Sequence, residues 1–548
     1  MAQRLLTPRT SLQLVLSLTI VGSPAFAQTF PGTGEGVQLL TGVGSSVPDA
    51  SDLKVGFGGV ELTARVASTD SSLDGALVTL GIGVLPTGQL PLAVVPGIAI
   101  DLSAPFVDFA LGNLAAGEVP AFAGTVPQGL VGSSLFLQGF ALPIADPGLV
   151  ANGLFASTDA HQVDIQSAPA TPVITESIRL VSNDIAANDG FGTAVSIDGA
   201  LGLVGAPRED ASGFDSGSAY LFDLTTGQQV QKVFLGSSAN TDNFASSLVL
   251  NDGRAVIGAW RNSEAATLAG TFYGVDPFTS TELAMVTPIE TVQASLVGQS
   301  LGFSTAFSDT FVVSGARGDV ALANGGGSTY IYDASTLSLL HKVFPSDPGT
   351  AANFGHEVST SGDLVAVSAP FNSNQTTEGG AIYVFDGLTG LELHRFAPDS
   401  LAPFDLFGER VAIEGELVMG ASGFMNIDLT NDGAAFAFDV ATGEQLAQFT
   451  SPAPEENGRF GAGLAISSDY IAIAETLGTN SAGVRTGVIY VYDRATFELL
   501  ATLEASDGLE GDALGEDLSI SGNQLIAGAA GVDADGDLSG AAYVFELP

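Results

Sequence analysis

Several stretches of this chain have residue types and spacings that chemistry could use. Asp533-Ala534-Asp535-Gly536-Asp537 sets three carboxylates at alternate positions, as a small oxygen-ligand loop for calcium requires. It lacks the distal Glu of an EF-hand, and Asp428 with Asn431 and Asp432 is a poorer version. Gly298-Gln299-Ser300-Leu301-Gly302 matches a nucleophile elbow, which needs a strand–turn–helix to expose its serine. Arg317-Gly318-Asp319 is an adhesion tripeptide of the kind that arises by chance in a Gly-rich chain, and Asn374-Gln375-Thr376 fits a glycosylation sequon. His161, His341, His356 and His394 have no metal-ligand spacing. The chain has no Cys, which excludes disulfides, metal thiolates and a cysteine nucleophile. No acid–base or nucleophile constellation emerges.

Most of these residues belong to a repeat that must position them. Seven times an aromatic or Leu is followed by a small residue: Phe191-Gly192, Phe244-Ala245, Leu301-Gly302, Phe354-Gly355, Phe407-Gly408, Phe460-Gly461 and Leu514-Gly515. About fourteen residues later comes an apolar-Gly-Ala beat such as Gly205-Ala206-Pro207, then an aromatic run such as Ile382-Tyr383-Val384-Phe385-Asp386. The period of about 53 residues is that of propeller blades or other stacked units. Ser300 is thus the residue before the third opening beat, which gives the elbow pattern a structural origin. Each repeat divides into four strands, A to D, with small residues in the A strands, as crowding at a propeller axis requires. The leading Phe is expected to pack between neighbouring sheets, with its Gly allowing close backbone approach.

The two ends decide between a ring and an open stack. The seventh repeat stops at Tyr543-Val544-Phe545-Glu546, without a D strand, while Ser177-Ile178-Arg179-Leu180-Val181 lies upstream of the first repeat. Leu180 precedes Phe191 by the spacing that separates Phe396 from Phe407. The orphan strand therefore fits as the missing outer strand of the last blade, which latches a ring and removes its open edges. The fold class is all-β: a seven-bladed β-propeller over 177–548, preceded by a β-sandwich or jelly-roll-like domain.

The pattern Phe-Gly, apolar-Gly-Ala-Pro, Gly-(Ser/Ala)-Ala-Tyr-(Leu/Val)-Phe-Asp resembles the FG-GAP repeat, which builds the propeller of integrin α chains and occurs in many exported bacterial proteins. The resemblance spans about 370 residues from Glu176 onward. It implies an extracellular binding role more than a catalytic one. Integrin-like calcium loops lie between the first two beats, where this chain has tight turns, so calcium is not carried over from the resemblance.

The rest of the chain supports export. Arg4 and Arg9, the apolar Leu12 to Val21 and the cleavage pattern Ala25-Phe26-Ala27 read as a signal peptide over 1–27, and no later segment reads as a membrane span. Residues 28–166 are Gly/Pro-rich and weakly charged, with alternating runs such as Val60 to Val66, and 167–176 read as a linker. Across 548 residues there are 60 acidic and 16 basic side chains, a net charge of −44. Nothing could neutralise several phosphates at once, which argues against nucleic acid and anionic membranes. The acidity serves solubility or the binding of cations and basic partners.

Strand direction alternates within a blade, so A–B and C–D turns share one face and B–C and D–A loops the other. The turns are short; the loops are long and acidic. They carry the candidate binding residues Glu209, Asp210, Asp215, Asp428, Asp432, Asp507 and Asp512, and the calcium candidates Asp533, Asp535 and Asp537. The leading expectation is a secreted or surface-associated non-enzymatic protein binding an extracellular protein or glycan on that face. The alternatives are a hydrolase of extracellular polymers with carboxylates at the propeller mouth, and a structural matrix component.

Overall fold

A computed structural model describes the backbone of nine strands within 37–166. It describes 171–548 with side chains, except 237–239, 289–297, 322–325, 350 and 535. Residues 1–27 lie outside the described residues. The chain divides into two compact units, Met1–Ala170 and Thr171–Pro548.

In the first unit Glu61–Ser68 pairs with Val37–Val43 on one side and Phe122–Thr125 on the other. A second sheet runs Leu53–Phe57, His161–Gln166, Ser133–Leu142, Leu77–Pro86, Phe106–Asn113. The alternating run near Val60 to Val66 is thus a strand. A sandwich or jelly-roll packing would rest on side chains outside the described residues.

The second unit is a ring of seven sheets, with no helix among its described residues. Blade 1 consists of Ala194–Asp198 (A), Leu201–Ala206 (B), Ser218–Asp223 (C) and Gln228–Val233 (D), all antiparallel neighbours. Blades 2 to 6 repeat this order, with A strands Ser247–Asn251, Leu301–Phe307, Val358–Ser361, Arg410–Glu414 and Phe460–Ile466. Blade 7 takes its A, B and C strands from Leu518–Ser521, Gln524–Ala529 and Ala541–Glu546. Its outer strand is Ile178–Leu180, with Ile178 opposite Val544 and Leu180 opposite Ala542. The latch is where the spacing predicts it.

The linker expectation needs one correction. Val173–Thr175 is a strand, parallel to Leu499–Glu504, and makes blade 6 five-stranded. Three residues flanked by Pro172 carry too weak a pattern to read as a strand. The edge of blade 6 supplies the partner.

Each of the seven seams between blades holds one apolar cluster centred on an opening aromatic or Leu. Phe191 packs between blades 7 and 1, with Leu180, Ile526 and Val544 on one side and Val195, Tyr220 and Phe222 on the other. Phe244, Leu301, Phe354, Phe407, Phe460 and Leu514 do the same at the remaining seams. All seven are fully buried. The backbone N–H of each bonds a carbonyl just ahead of the preceding blade's C strand, as Phe407 does to Gly379 (2.8 Å) and Phe191 to Ser539 (3.0 Å). At the closing seam a Cβ on Gly540, whose φ is +93°, would collide with the Phe191 carbonyl. Inner-strand N–H groups, which have no further strand to pair with, find serines of the preceding blade: Leu250 N–H donates to Ser196 Oγ (3.0 Å) and Ile197 N–H to Ser519 Oγ (3.2 Å).

Candidate functional site

The seven A strands surround an axial cavity of about 800 Å³ whose lining includes residues of all seven blades. Its wall is graded. Towards the short turns it is apolar, with Phe307, Ile413, Ile466 and Ile520; towards the long loops it carries His356, Glu357, Glu409, Arg410, Glu516 and Asp517. These titratable residues directly follow the opening beats of blades 4, 5 and 7, where blades 1, 2 and 6 have Thr193-Ala194, Ser246-Ser247 and Ala462-Gly463. The general expectation of small residues at the axis therefore fails in those three blades. The signal was a pair of titratable residues straight after Phe-Gly or Leu-Gly, a departure visible only once the repeats are aligned.

Arg410 ties this ring together. Its guanidinium lies 3.5 Å from the Glu357 carboxylate and donates to the Glu516 carbonyl (3.1 Å), so it links blades 4, 5 and 7. Burial pushes Glu357 up to about 7, against the pull of Arg410. Glu516 and Asp517 are also raised by burial. Asp517 accepts the Val195 N–H (2.7 Å) across the closing seam. His356 is pulled down to about 3 by burial and by the charges of Arg410 and Arg317, so its ring is neutral at physiological pH.

Beside the ring, on blades 2 to 4, lies an aromatic file. Trp260 meets Phe303 edge-on with centroids 5.7 Å apart, and Phe303 meets His356 at 5.3 Å. Arg317 lies over Phe303, 3.5 Å from its centroid, and Arg261 lies 5.4 Å from that of Trp260.

The acidic loop candidates are placed in two ways. Glu209, Asp432 and Asp512 are buried and bond their own loops. Glu209 accepts from Ser218 Oγ, Ala211 N–H and Lys232; Asp432 accepts three N–H groups, from Ile427, Asp428 and Leu429; Asp512 accepts that of Leu509. Asp507 pairs with Arg179 at 3.1 Å, Asp210 accepts the Asp215 N–H, Asp428 is exposed, and Asp215 lines the mouth. Asp533 accepts the Leu538 N–H at 2.8 Å. The same bond, from a residue five positions on, is made by Asp210, Ser263, Ser373 and Asn426 in other blades. A position that takes Ser or Asn equally well is a loop staple. Asp537 is exposed, and Asp535 lies outside the described residues. Among the described residues no three acidic or His side chains converge as a metal site.

The other motifs are structural. Asp319 is buried and bonds Lys342 (2.7 Å) and Ser328 Oγ (2.6 Å), so the Arg-Gly-Asp tripeptide is not presented. Ser300 is buried with no helix following it.

A closed ring of seven blades, six of four strands and one of five, with loops gathered at one mouth defines a seven-bladed β-propeller. The FG-GAP repeat model matches 174–222, 338–385 and 497–545; each match runs from the outer strand of one blade through A, B and C of the next. The chain is thus a seven-bladed propeller that carries three FG-GAP repeats, and the one-strand offset between repeat and blade is what the latch exploits. No curated protein matches the sequence. Similar solved structures include "Complex of KlAtg21 with coiled-coil of AgAtg16" (11% identity, TM-score 0.41, covering 65% of this chain and 93% of that one). "Europium-containing methanol dehydrogenase" is another (9% identity, TM-score 0.40, 76% and 89%). The strand pairings, not these likenesses, define the fold.

Proposed function

We propose that the protein is a secreted or surface-associated, non-enzymatic binding protein that docks an extracellular protein or glycan on its long-loop face. One observation carries this reading. The long loops display large apolar side chains that no neighbour covers: Phe214 is 63% exposed, Phe404 60% and Leu509 65%, with Leu268 and Leu538 also exposed. Phe404, Leu268 and Leu538 in addition hold positive φ, which costs a non-Gly residue of order 1 kcal/mol. Neither burial nor backbone preference accounts for such residues there, whereas a partner surface does.

The export expected from residues 1–27 belongs to the same proposal. The hydrolase alternative also has an observation behind it, because Glu357, Glu409, Glu516 and Asp517 gather about the axis. Against it, the carboxylate of Glu357 is tied to Arg410.

One experiment addresses both. The full chain, immobilised, is presented with extracellular proteins and a glycan array, beside a Phe214→Asp, Phe404→Asp, Leu509→Asp variant. A matched variant of the opposite face, Phe278→Asp with Leu388→Asp, serves as control. Capture lost only in the first variant supports the reading, capture equal in all three refutes it, and release of reducing ends during incubation favours the hydrolase.

A further inference from the structure

Three arginines around the mouth of the axial cavity make no ion pair among the described residues. Arg208, Arg261 and Arg317 open the B–C loops of blades 1, 2 and 3. Among the described residues none of the three touches a carboxylate. Arg208 donates to the Asn188 carbonyl (2.8 Å) and Arg261 to Asn243 Oδ1 (3.2 Å), while Arg317 contacts only the rings of Phe303 and Trp260. Other cations on the long-loop side are paired: Lys232 with Asp184 and Glu209, Lys342 with Asp319, Arg395 with Asp347, Arg459 with Glu409, Arg410 with Glu357. Arg208 lies in the field of the buried Glu516 carboxylate, so in a chain of 60 acidic residues it is Arg261 and Arg317, both against the Trp260 ring, that lack an anion. Burial lowers Arg317 to about 10, so it remains a cation at neutral pH while bearing that cost.

The chemistry of the missing anion follows from its surroundings. A guanidinium held over an aromatic ring keeps its N–H edge free for a planar, two-oxygen acceptor, which is how arginine grips a carboxylate. The half-buried Trp260 beside it offers an aromatic surface on which the C–H face of a sugar packs. The cavity itself carries Asp215, Glu357, Glu409, Glu516 and Asp517 and the loops beyond it Glu455, Glu456, Asp507 and Asp512, so a long polyanion lying across the face is repelled everywhere but beside these arginines. Only a chain end or a short branch gains.

We propose that the mouth of the propeller binds a carboxylate-bearing saccharide end, with the acid gripped by Arg261 and Arg317, steered by Arg208, and the sugar ring set against Trp260. The proposal rests on the long-loop face being the docking face and names the ligand class for it.

Calorimetric titration of the full chain tests it, with an oligosaccharide ending in glucuronic acid and the same chain ending in glucose. The acid-terminated sugar should bind at least tenfold more tightly. Arg317→Gln and Arg208→Gln should each weaken it at least fivefold and leave the glucose form unchanged. Arg208 is exposed, so its variant folds normally, and a melting curve checks the other. Equal affinity for the two sugars, no binding of the acid-terminated sugar at millimolar concentration, indifference to both substitutions, or preference for an oligo-glutamate peptide would each overturn the assignment. If the apolar loop variants abolish partner capture while the acidic sugar fails to bind, the face stands and the anion site falls; binding of the sugar with indifferent loop variants gives the reverse.

Discussion

Glu475 shows how a single residue can be spent on architecture. It ends the B strand of blade 6 (Tyr470–Glu475), where the first two blades continue into Pro207 and Trp260, and it is fully buried. One carboxylate oxygen accepts from Ser451 Oγ (2.6 Å) and Tyr490 OH (3.3 Å), and the other has no partner. Burial pushes its pKa up to about 7. An acid raised in the folded state holds a proton that the unfolded chain has released, so its contribution falls as pH rises from the unfolded value of 4.5 through about 7. Above pH 7 the folded protein bears an ionisation cost of about 3 kcal/mol. Glu475→Gln should therefore match the wild type in urea midpoint at pH 4.5 and exceed it at pH 8. Parallel pH profiles for the two proteins would contradict the assignment.

Within an element, the aromatic opening beat matters more than strand propensity. Phe407 sits at the seam of blades 4 and 5, edge-on to Phe436 (5.8 Å) and close to Phe438 (6.1 Å), and is completely buried. Phe407→Ala leaves a cavity between two sheets that cannot close up without shifting whole blades. The expected loss is about 3–5 kcal/mol, read as a shift in the urea midpoint at unchanged slope. A loss below about 1 kcal/mol would mean that the seams are held by something other than these rings. The C–D turns follow a similar economy. The aspartates ending the C strands, such as Asp333 and Asp439, accept bonds from the Ser and Thr residues that follow. Those bonds hold both carboxyls below the usual range, Asp333 at about 2.

For the molecule as a whole, closure is the property that matters. The latch strand lies 362 positions from its opposite number, since Leu180 faces Ala542 and the interval between them holds the rest of the ring. A net charge of −44 works against compactness by self-repulsion, so the ring depends on each seam, the latch included. Leu180 is completely buried in the closing seam. Leu180→Ala should lower the melting temperature of the entire propeller in one transition, equivalent to about 2–5 kcal/mol. Two transitions, with most blades melting at the original temperature, would show blades that stand independently as in an open stack.

Much of this protein is written in its primary structure, because its signals are local and recur. Seven copies of Phe-Gly or its equivalents, the apolar-Gly-Ala beat and the aromatic C strand specify blades, and the missing D strand at one end with Ile178–Leu180 at the other specifies closure. The tightness of the turns and the burial of the opening residues follow from the same short patterns. What the chain order does not reveal is which side chains meet at the axis. His356, Glu357, Arg410 and Asp517 are scattered over more than 160 residues (517 − 356 = 161) and converge only because seven A strands point at one line. Nor does composition show that Glu209, Asp432 and Asp533 bond their own loops while Arg208, Arg261 and Arg317 stay unpaired. Pairing depends on distances set by ring geometry, and a charge count carries no distances.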